Sequence, residues 1–370
     1  MQKITFLINS LSSGGAEKVL SVLANELIKS YKVEIVFLEQ NEFYKLDERI
    51  KKIYLSNFDG SESALKKLLF IALLAYRLKK YIQKNDIKLI QSHIFRANYV
   101  NVLAKLFGAK HKVEVVTAGR ISRYKELGLN GKINLWFIKT LYAKADIIIS
   151  KAQSMQEDMQ KLFIFNNQQI IINNPYDINY IEQLSLEKVD NFSFHQDRKY
   201  LISVGRLISL KRNHELIETL VKLPKNVEAI FLGDGDQKEY LQDLVKKLDL
   251  KSRVHFLGQV KNPYKYIAKS DIFVSCSESE GFPNVLVESM ICQTVVVSSD
   301  CVSGPREILG DNEYGLLFNV GDKEKLLENI ELLLNNTKLK DSYEEKAKKR
   351  SYDFSAEKII AQYKKVLEVE

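Results

Sequence analysis

Residues 271–291, DIFVSCSESEGFPNVLVESMI, read as a short β-rich run, a polar loop and the beginning of a helix. The loop carries Glu280 and Gly281, the helix begins near Asn284, and Glu288 follows a little over one turn later. Backbone N–H groups with partial positive charge point outward at such a helix start, which suits a phosphate group. The two glutamates would then hold hydroxyl groups at both ends of a phosphate-bridged ligand. Taken alone, the stretch fits an ordinary surface connection with exposed acids equally well.

The same alternation of strand and helix extends outward through the chain. Residues 3–8 predict a strand, residues 16–30 a helix with an apolar stripe, and residues 33–38 a second strand. This order is the unit of a parallel sheet, whose ligands bind at the carboxyl ends of the strands. The second half repeats it, with strand-like runs at residues 200–204, 227–232, 254–257, 272–274 and 294–298. We therefore predict an α/β protein with two doubly wound, Rossmann-like domains.

The domain boundary is placed at residues 173–177, NNPYD, which read as a linker. The first domain then covers residues 1–175 and the second covers residues 176–352. Residues 353–370 are expected to form a helix that packs back on the first domain. Just after the linker, residues 176–199 are polar and show no strong period, so they predict no regular element.

Composition places the chain among globular proteins of the cytoplasm. The 370 residues are 45% apolar and 28% charged, and no apolar run approaches the length of a membrane-spanning helix. The N-terminus reads as a strand and lacks the long apolar segment of a signal peptide. The three cysteines and five histidines have no metal-ligand spacing, so neither a structural metal nor a disulfide is expected.

A net charge of +8 indicates an acidic partner, which is a nucleic acid, an anionic lipid or a phosphorylated substrate. No zinc finger and no RNP-type aromatic motif is present, so nucleic acid is disfavoured. The basic charge is concentrated in residues 61–85, whose apolar centre is too short to span a bilayer. Such a helix lies on an anionic membrane surface, or it packs on the sheet with a solvated basic face. Its candidate contact residues are Lys66, Lys67, Arg77, Lys79 and Lys80.

Two cations follow the first strand of the second half. Arg206 comes directly after Gly205 at the strand end, and Lys211 lies five residues further on. Together they can neutralise a diphosphate, the arginine as a fork and the lysine as a point charge. The alternative is plain surface solvation, the fate of most basic residues in this chain.

The motifs, in their order, resemble the family 4 retaining glycosyltransferases of the GT-B fold, in which two Rossmann-like domains face each other across a cleft. The resemblance covers nearly the whole chain and is strongest over residues 200–318. Within the family, it is closest to transferases that extend lipid-diphosphate-linked oligosaccharides, including those of bacterial N-glycosylation. The matching segments are GGAEK (14–18), VGRL (204–207), LGDG (232–235), FLGQV (256–260), NPYKY (262–266), EGFPNVLVE (280–288), SGPREI (303–308) and YGLLF (314–318).

The resemblance implies a metal-independent transfer, with retention, from a nucleotide-sugar to a polyprenyl-diphosphate-linked glycan. The donor would be a UDP-sugar, with UDP-N-acetylgalactosamine or a related hexose as candidates. Glu280, Arg206 and Lys211 would act at the reacting diphosphate and sugar, and Glu288 would bind the ribose. The enzyme would work from the cytoplasm at the inner face of the plasma membrane. The full implied donor site is Gly15, Gly205, Arg206, Lys211, Val260, Glu280, Gly281, Phe282, Asn284, Val285, Leu286 and Glu288.

One position departs from the family pattern. Many members carry a Glu-His pair after the fifth strand of the first domain, where this chain reads Thr117-Ala118-Gly119-Arg120. The histidine contact to the donor sugar or phosphate is therefore missing, or His93 or Arg120 supplies it; both residues are also candidates for contact with the acceptor.

Two other function classes stay open on the sequence. UDP-sugar 2-epimerases share the fold but need catalytic acids and a histidine in the cleft, without a basic helix in the first domain. A non-catalytic nucleotide-sugar-binding module would not need all of Arg206, Lys211, Glu280 and Glu288. A dehydrogenase is disfavoured because neither half carries GxGxxG after its first strand.

Overall fold

The computed structural model describes residues 2–367, which form two compact units. The first unit contains the residues up to 176 together with those from 356 onward, and the second contains residues 177–355. The chain therefore passes from the first unit to the second at Tyr176 and returns at Ala356.

Each unit is an alternation of strands and helices. In the first unit the strands are β1 (Lys3–Ile8), β2 (Lys32–Phe37), β3 (Lys51–Tyr54), β4 (Leu89–His93), β5 (Lys112–Val116), β6 (Ile147–Ser150) and β7 (Gln168–Ile171). The helices between them are α1 (Gly15–Leu27), α2 (Ala64–Leu69), α3 (Ile71–Asn85), α4 (Phe95–Leu106), α5 (Gly128–Leu141) and α6 (Gln153–Gln160).

The strands form one parallel sheet of seven, in the order β3-β2-β1-β4-β5-β6-β7. Their side chains alternate between two apolar layers. In β1, Leu7 joins the layer under α3, α4 and α5, whereas Phe6 and Ile8 join the layer under α1. Burial on both faces explains why consecutive residues of β1, from Ile4 to Ile8, are all buried.

The second unit repeats the arrangement with six parallel strands, in the order β10-β9-β8-β11-β12-β13. The strands are β8 (Lys199–Val204), β9 (Val227–Leu232), β10 (Val254–Gly258), β11 (Ile272–Ser275), β12 (Val295–Ser299) and β13 (Leu316–Phe318). The helices are α7 (Ile178–Ser185), α8 (Asn213–Leu220), α9 (Lys238–Lys247), α10 (Tyr264–Ile267), α11 (Asn284–Ile291), α12 (Pro305–Leu309), α13 (Lys323–Asn335) and α14 (Thr337–Ser351).

The last helix, α15 (Ala356–Leu367), belongs to the first unit. Its residues Ile359, Ile360 and Tyr363 lie in the same apolar layer as α1. At its start, the N–H of Ala356 donates to the carbonyl oxygen of Tyr176 over 2.8 Å, which joins the two crossing points of the chain.

Several sequence predictions of local structure were wrong. The single basic helix expected over residues 61–85 is two helices, α2 and α3, which meet at Phe70. A helix, α7, forms within residues 176–199, where the sequence shows no strong period. The helix buries only Ile178 and Ile181, so it is too short to produce a recognisable hydrophobic period. Between β10 and β11 the sequence also predicts a helix over residues 262–269, but only the single turn of α10 forms there. Within residues 2–367, no helix is long and apolar enough to cross a membrane.

The amine of Lys151, directly after β6, is buried beside Tyr363 of α15. It donates to the Tyr363 hydroxyl and lies 5.0 Å from the centre of its ring. Burial lowers the pKa of Lys151 to about 7. Because an unfolded lysine keeps a pKa of about 10.4, the unfolded chain binds this proton more tightly than the folded chain.

We therefore expect the free energy of unfolding to rise with pH between about 7 and 10, by up to about 1 kcal/mol per pH unit. The variant Lys151→Met should lose this rise, whereas Lys365→Met, on an exposed lysine of α15, should keep it. Urea unfolding between pH 7 and 9.5 measures the slope. Parallel pH profiles for the wild type and Lys151→Met would contradict the assignment.

Candidate functional site

The candidate site lies at the switch point of the second sheet, where β8 is paired with both β9 and β11. From β8 the chain continues to β9 and β10 on one side, and later enters β11 on the other. The loops that leave the carboxyl ends of β8 and β11 therefore diverge and leave a gap between them. Open α/β sheets bind ligands in such a gap. The gap is lined by Gly205, Arg206, Lys211, Asn213, Ser275 and Ser277, among others.

Two glycines let the backbone cross this edge of the sheet closely. Gly205 has φ +150° and Gly233 has φ +138°, conformations that other residues rarely adopt. A Cβ atom on Gly233 would lie 1.9 Å from the carbonyl oxygen of Gly205. The backbone after β8 is thus held against the backbone after β9, so that the following loop begins in a fixed direction.

Lys211 and Glu280 form an ion pair across the switch point. The Nζ atom of Lys211 lies 2.5 Å from Oε1 of Glu280, and both side chains are mostly buried. The N–H of Glu278 donates to the carbonyl oxygen of Leu210 over 2.8 Å, which ties the two loops together. Lys211, which was assigned to the phosphate, and Glu280, which was assigned to the sugar, are therefore neighbours. One bound ligand would contact both side chains.

Two arginines at this edge differ in whether they are paired with an acidic side chain. Arg206 is exposed and has no ion-pair partner within residues 2–367, so its guanidinium is available to an anion. Arg212, in contrast, donates from Nε and Nη2 to the buried carboxylate of Glu215, over 2.8 and 2.5 Å. This pairing commits Arg212 to the fold. Spacing from the strand alone does not distinguish the two residues.

Helix α11 starts beside the ion pair, and among the described residues no side chain caps its N-terminus. Gly304, at φ +92°, lies against this start, since a Cβ there would be 2.4 Å from Cδ of Pro283. The Ser303 hydroxyl donates to the carbonyl oxygen of Glu280 and fixes the loop. The start of a helix carries partial positive charge, which favours an anion near Asn284 and Val285.

Other predicted donor residues take different places. The N–H of Leu286 already donates to Pro283, and the Phe282 ring packs on Phe354 with centroids 5.5 Å apart. Glu288 is only 3% exposed, on α11 one turn beyond Asn284. Val260 is half-buried in the loop after β10, two strands from the ion pair.

The cysteines at this edge are unsuited to nucleophilic catalysis. Burial, reinforced by the Glu280 carboxylate, raises the pKa of the Cys301 thiol to about 12. Burial likewise raises the pKa of Cys276. Both remain thiols near neutral pH, and the thiolate is the reactive form. The site therefore offers cations, amides and carboxylates.

The first unit has its own switch point, between β1 and β4. Gly15 begins α1 just after β1, and His93 ends β4. His93 is buried, with Nε2 3.1 Å from Oε1 of Gln91, and burial holds its pKa well below the usual value. Arg120, after β5, lies 3.5 Å from a carboxylate oxygen of Glu126 and is mostly buried.

The basic residues of α2 and α3 divide into two groups. Lys67 donates to the carbonyl oxygen of Gly60 over 2.5 Å and Arg77 to that of Leu55 over 2.6 Å, so both hold the fold. Lys66 and Lys80 are exposed, and Lys79 is half-buried. A groove of about 820 Å³ beside the edge strand β3 is lined by Tyr54, Phe58, Phe70, Lys66, Arg77, Lys80 and Lys84, among others.

The sequence analysis missed the polar side chains in the wall of the gap. Asn213 begins α8, with Oδ1 3.3 Å from the hydroxyl of Ser203. Ser275 ends β11 and Ser277 follows it, and their hydroxyls lie 3.3 Å apart. The available signal was the Ser-Cys-Ser triplet directly after an apolar strand.

Comparison with protein families gives two matches that together cover most of the chain. The family described as Glycosyl transferases group 1 matches residues 186–350. The family described as Glycosyltransferase Family 4 matches residues 13–180. The two matched regions follow the division into units, and the match over residues 186–350 contains Arg206, Lys211, Glu280 and Glu288.

Two curated relatives come from Campylobacter jejuni. One is the N-acetylgalactosamine-N,N'-diacetylbacillosaminyl-diphospho-undecaprenol 4-alpha-N-acetylgalactosaminyltransferase, 33% identical over 361 residues, 97% of each chain. The other is the GalNAc-alpha-(1->4)-GalNAc-alpha-(1->3)-diNAcBac-PP-undecaprenol alpha-1,4-N-acetyl-D-galactosaminyltransferase, 28% identical over 99% of this chain and 98% of that one.

Solved structures share the fold. Anabaena HepE in complex with UDP superposes with a TM-score of 0.80 at 22% identity, over 99% of each chain. Sucrose-phosphate synthase from Thermosynechococcus elongatus gives 0.83 at 18% identity, over 99% of this chain and 98% of that one. The predicted two-domain α/β fold of the GT-B class is thus confirmed.

The close approach at Gly233 generates a prediction about stability. Gly233→Ala should cost about 2 kcal/mol or more, because its Cβ adds a backbone overlap to an unfavourable φ. Gly258→Ala is the matched control, since it also has positive φ, +73°, but its Cβ would meet open space. We expect that control to lose only about 1 kcal/mol in urea unfolding. Equal losses would show that the approach of the two loops is unimportant.

Proposed function

The chain belongs to the glycosyltransferases of group 1 and family 4, and from this membership we propose that it extends a lipid-linked glycan. The donor is a UDP-sugar, with UDP-N-acetylgalactosamine as the first candidate. The acceptor is a hydroxyl of a glycan on a polyprenyl diphosphate. The new glycosidic bond is α, formed with retention of the donor's configuration.

The observation that carries the proposal is the convergence of Arg206, Lys211 and the start of α11 at one switch point. When a sugar leaves a nucleoside diphosphate, negative charge grows on the departing phosphate. A fork-shaped cation, a point charge and first-turn amides are the groups that stabilise such charge. These groups of the protein itself stabilise the negative charge on the departing phosphate, so we propose that the reaction needs no metal ion.

Glu280 and Glu288 hold hydroxyl groups of the donor in this proposal. Glu280 is paired with Lys211 at 2.5 Å, and in this proposal its oxygen atoms accept hydrogen bonds from the sugar. As the diphosphate binds Lys211, the carboxylate is released in part to the sugar. Glu288, buried on α11, accepts from the ribose.

The chemistry follows from the groups present. The bond between the anomeric carbon and the phosphate oxygen breaks while the acceptor oxygen attacks from the same face. The proton of the acceptor hydroxyl passes to the departing phosphate, leaving UDP and a longer glycan. Because the departing phosphate takes this proton, no protein base is required, and we assign Glu280 to positioning.

The acceptor assignment is supported by the names of both C. jejuni relatives, which contain an undecaprenol diphosphate or its abbreviation. We propose that the first unit binds this acceptor, with Lys66 and Lys80 beside the groove at β3 as contacts for phosphate. Gly15, at the start of α1, would face the reacting phosphate. His93, already buried and held by Gln91, would position neighbouring groups without carrying a charge.

A product assay tests the proposed function. The protein is incubated with UDP- and GDP-sugars and with polyprenyl-diphosphate glycans, with and without EDTA, and products are read by mass. A single hexose or N-acetylhexosamine added only to the lipid-linked acceptor, equally with EDTA, is the expected result. The proposal would be overturned if the donor were epimerised without sugar transfer, or if no sugar were transferred to any lipid-linked glycan.

Removing the cation at the switch point gives a sharper prediction. Lys211→Gln should lower kcat/KM about 100-fold, because the departing phosphate loses a charge held for it. The control is Lys238→Gln, at the same sheet edge, whose amine lies 3.2 Å from Asp234 outside the gap. Steady-state kinetics at saturating acceptor measure both variants. Activity of Lys211→Gln within threefold of the control would remove Lys211 from the site.

A further inference from the structure

Arg212 lies between two residues that line the gap, but its own side chain is directed elsewhere. Lys211 and Asn213 both belong to the lining, whereas the guanidinium of Arg212 is paired with Glu215. The backbone of Arg212 is left-handed, with φ +46° and ψ +35°. A residue with a Cβ adopts this conformation at a cost, and it persists only where the surrounding structure enforces it. The conformation of Arg212 therefore requires a contact that holds it.

This contact is a buried ion pair at the first turn of α8. Nε and Nη2 of Arg212 donate to Oε1 of Glu215 over 2.8 and 2.5 Å, and the Glu215 side chain is only 2% exposed. The N–H of Glu215 in turn donates to the carbonyl oxygen of Arg212 over 2.9 Å. Within residues 2–367, the other carboxylate oxygen of Glu215 has no hydrogen-bond partner. One residue thus holds both the backbone and the side chain of Arg212.

The pair lies where three loops of the second sheet meet beside the gap. A Cβ on Gly321, in the loop after β13, would be 3.6 Å from Nη2 of Arg212 and 3.9 Å from Oε1 of Glu215. In the loop after β11, Oε2 of Glu278 lies 3.9 Å from Nη1 of Arg212. Burial and then the Glu215 carboxylate raise the pKa of Cys276, which belongs to the lining of the gap. The pair is therefore packed against the loops after β8, β11 and β13 at once.

Lys211 is the last residue before the left-handed position. Its N–H donates to the carbonyl oxygen of Ile208 over 2.9 Å, and its amine reaches Glu280 across the gap at 2.5 Å. A lysine stem is flexible, whereas a cation that stabilises charge in a transition state has to be held in place beforehand. The direction in which Lys211 leaves the backbone consequently depends on the turn that Arg212 and Glu215 maintain.

We propose that Arg212 and Glu215 are positioning residues, which hold Lys211 where it meets the departing phosphate. Neither side chain contacts the donor in this proposal. Glu215 keeps the Arg212 guanidinium away from the diphosphate, and the turn that the pair maintains directs Lys211 across the gap. The inference rests on the proposed function, which identifies the anion as the phosphate of a departing nucleotide.

Removal of the whole pair tests the proposal without leaving a buried charge. In the pair variant, Arg212→Gly with Glu215→Leu, glycine accepts the positive φ and leucine replaces the buried carboxylate, so the protein should fold. We expect kcat to fall about 20-fold and KM for the UDP-sugar to change less than about threefold, because Arg206 and the start of α11 still bind the diphosphate. An unchanged kcat would overturn the proposal.

A second ion pair provides the matched control. Lys340 and Glu344 lie on α14 with 2.9 Å between Nζ and Oε1, and both side chains are mostly buried. Lys340→Leu with Glu344→Leu should keep the wild-type kcat. Urea unfolding gives the conditions in which both double variants are fully folded, and the loss of kcat in the pair variant should persist there. A loss that the control shares would count against a positioning role.

A double-mutant cycle shows whether the pair acts through Lys211. Adding Lys211→Gln to the pair variant should lower kcat no further than Lys211→Gln does alone, because no lysine is then left to position. Losses that multiply would show that Arg212 and Glu215 affect the reaction by another route, which would contradict the proposal.

UDP binding keeps this inference apart from the proposed function. The terminal phosphate of UDP carries the charge that the donor develops only as its sugar departs, so UDP binding depends on a positioned Lys211. Calorimetry should show UDP affinity about tenfold weaker for the pair variant and for Lys211→Gln, and no weaker for the two combined. This pattern without any glycosyl transfer would refute the proposed function and leave the positioning role standing. Transfer at the wild-type rate in the pair variant would refute the positioning role and leave the proposed function standing.

Discussion

The ion pair between Lys211 and Glu280 depends on the pairing of β8 with β11. Residue 211 follows one of these strands and residue 280 the other, and 69 positions of sequence separate them. Only a parallel sheet with a switch point brings both loops to one edge while sending them in opposite directions. The glycines after β8 and β9 hold the start of the loop after β8 against the backbone after β9. The gap, its cation and its carboxylate thus share one structural cause.

The same constraint orders the first unit. There the switch point lies between β1 and β4, and it places Gly15 and His93 at the carboxyl end of the sheet. The helices on one face of that sheet begin at this end too. Exposed leucines at the start of α2 and α5 therefore share an edge with the residues proposed for the acceptor.

The basic side chains of this protein fall into two groups, those that hold the fold together and those that are accessible to a ligand. Arg212, Lys67 and Arg77 are bound to carboxylates or carbonyl oxygens of the fold. Arg206 and Lys66 are exposed, and Lys211 is held by a single carboxylate. A net charge of +8 therefore indicates a partner class, but only the second group can meet that partner. Pairing of an arginine depends on which side chains surround it, and composition does not contain that information.

The sequence by itself determined the two-domain α/β fold, because strand and helix periods and the glycines at strand ends are local properties. It also determined the family, since the order of motifs from GGAEK to YGLLF is far more specific than any one of them. Only the tertiary structure decided that Lys211 and Glu280 are partners, that Arg206 and not Arg212 faces the gap, and that the leucines of α2 point outward. Each of these depends on contacts between residues far apart in the chain. A hydrophobic period cannot tell a core-facing stripe from an exposed one, because both present the same side chains at the same spacing.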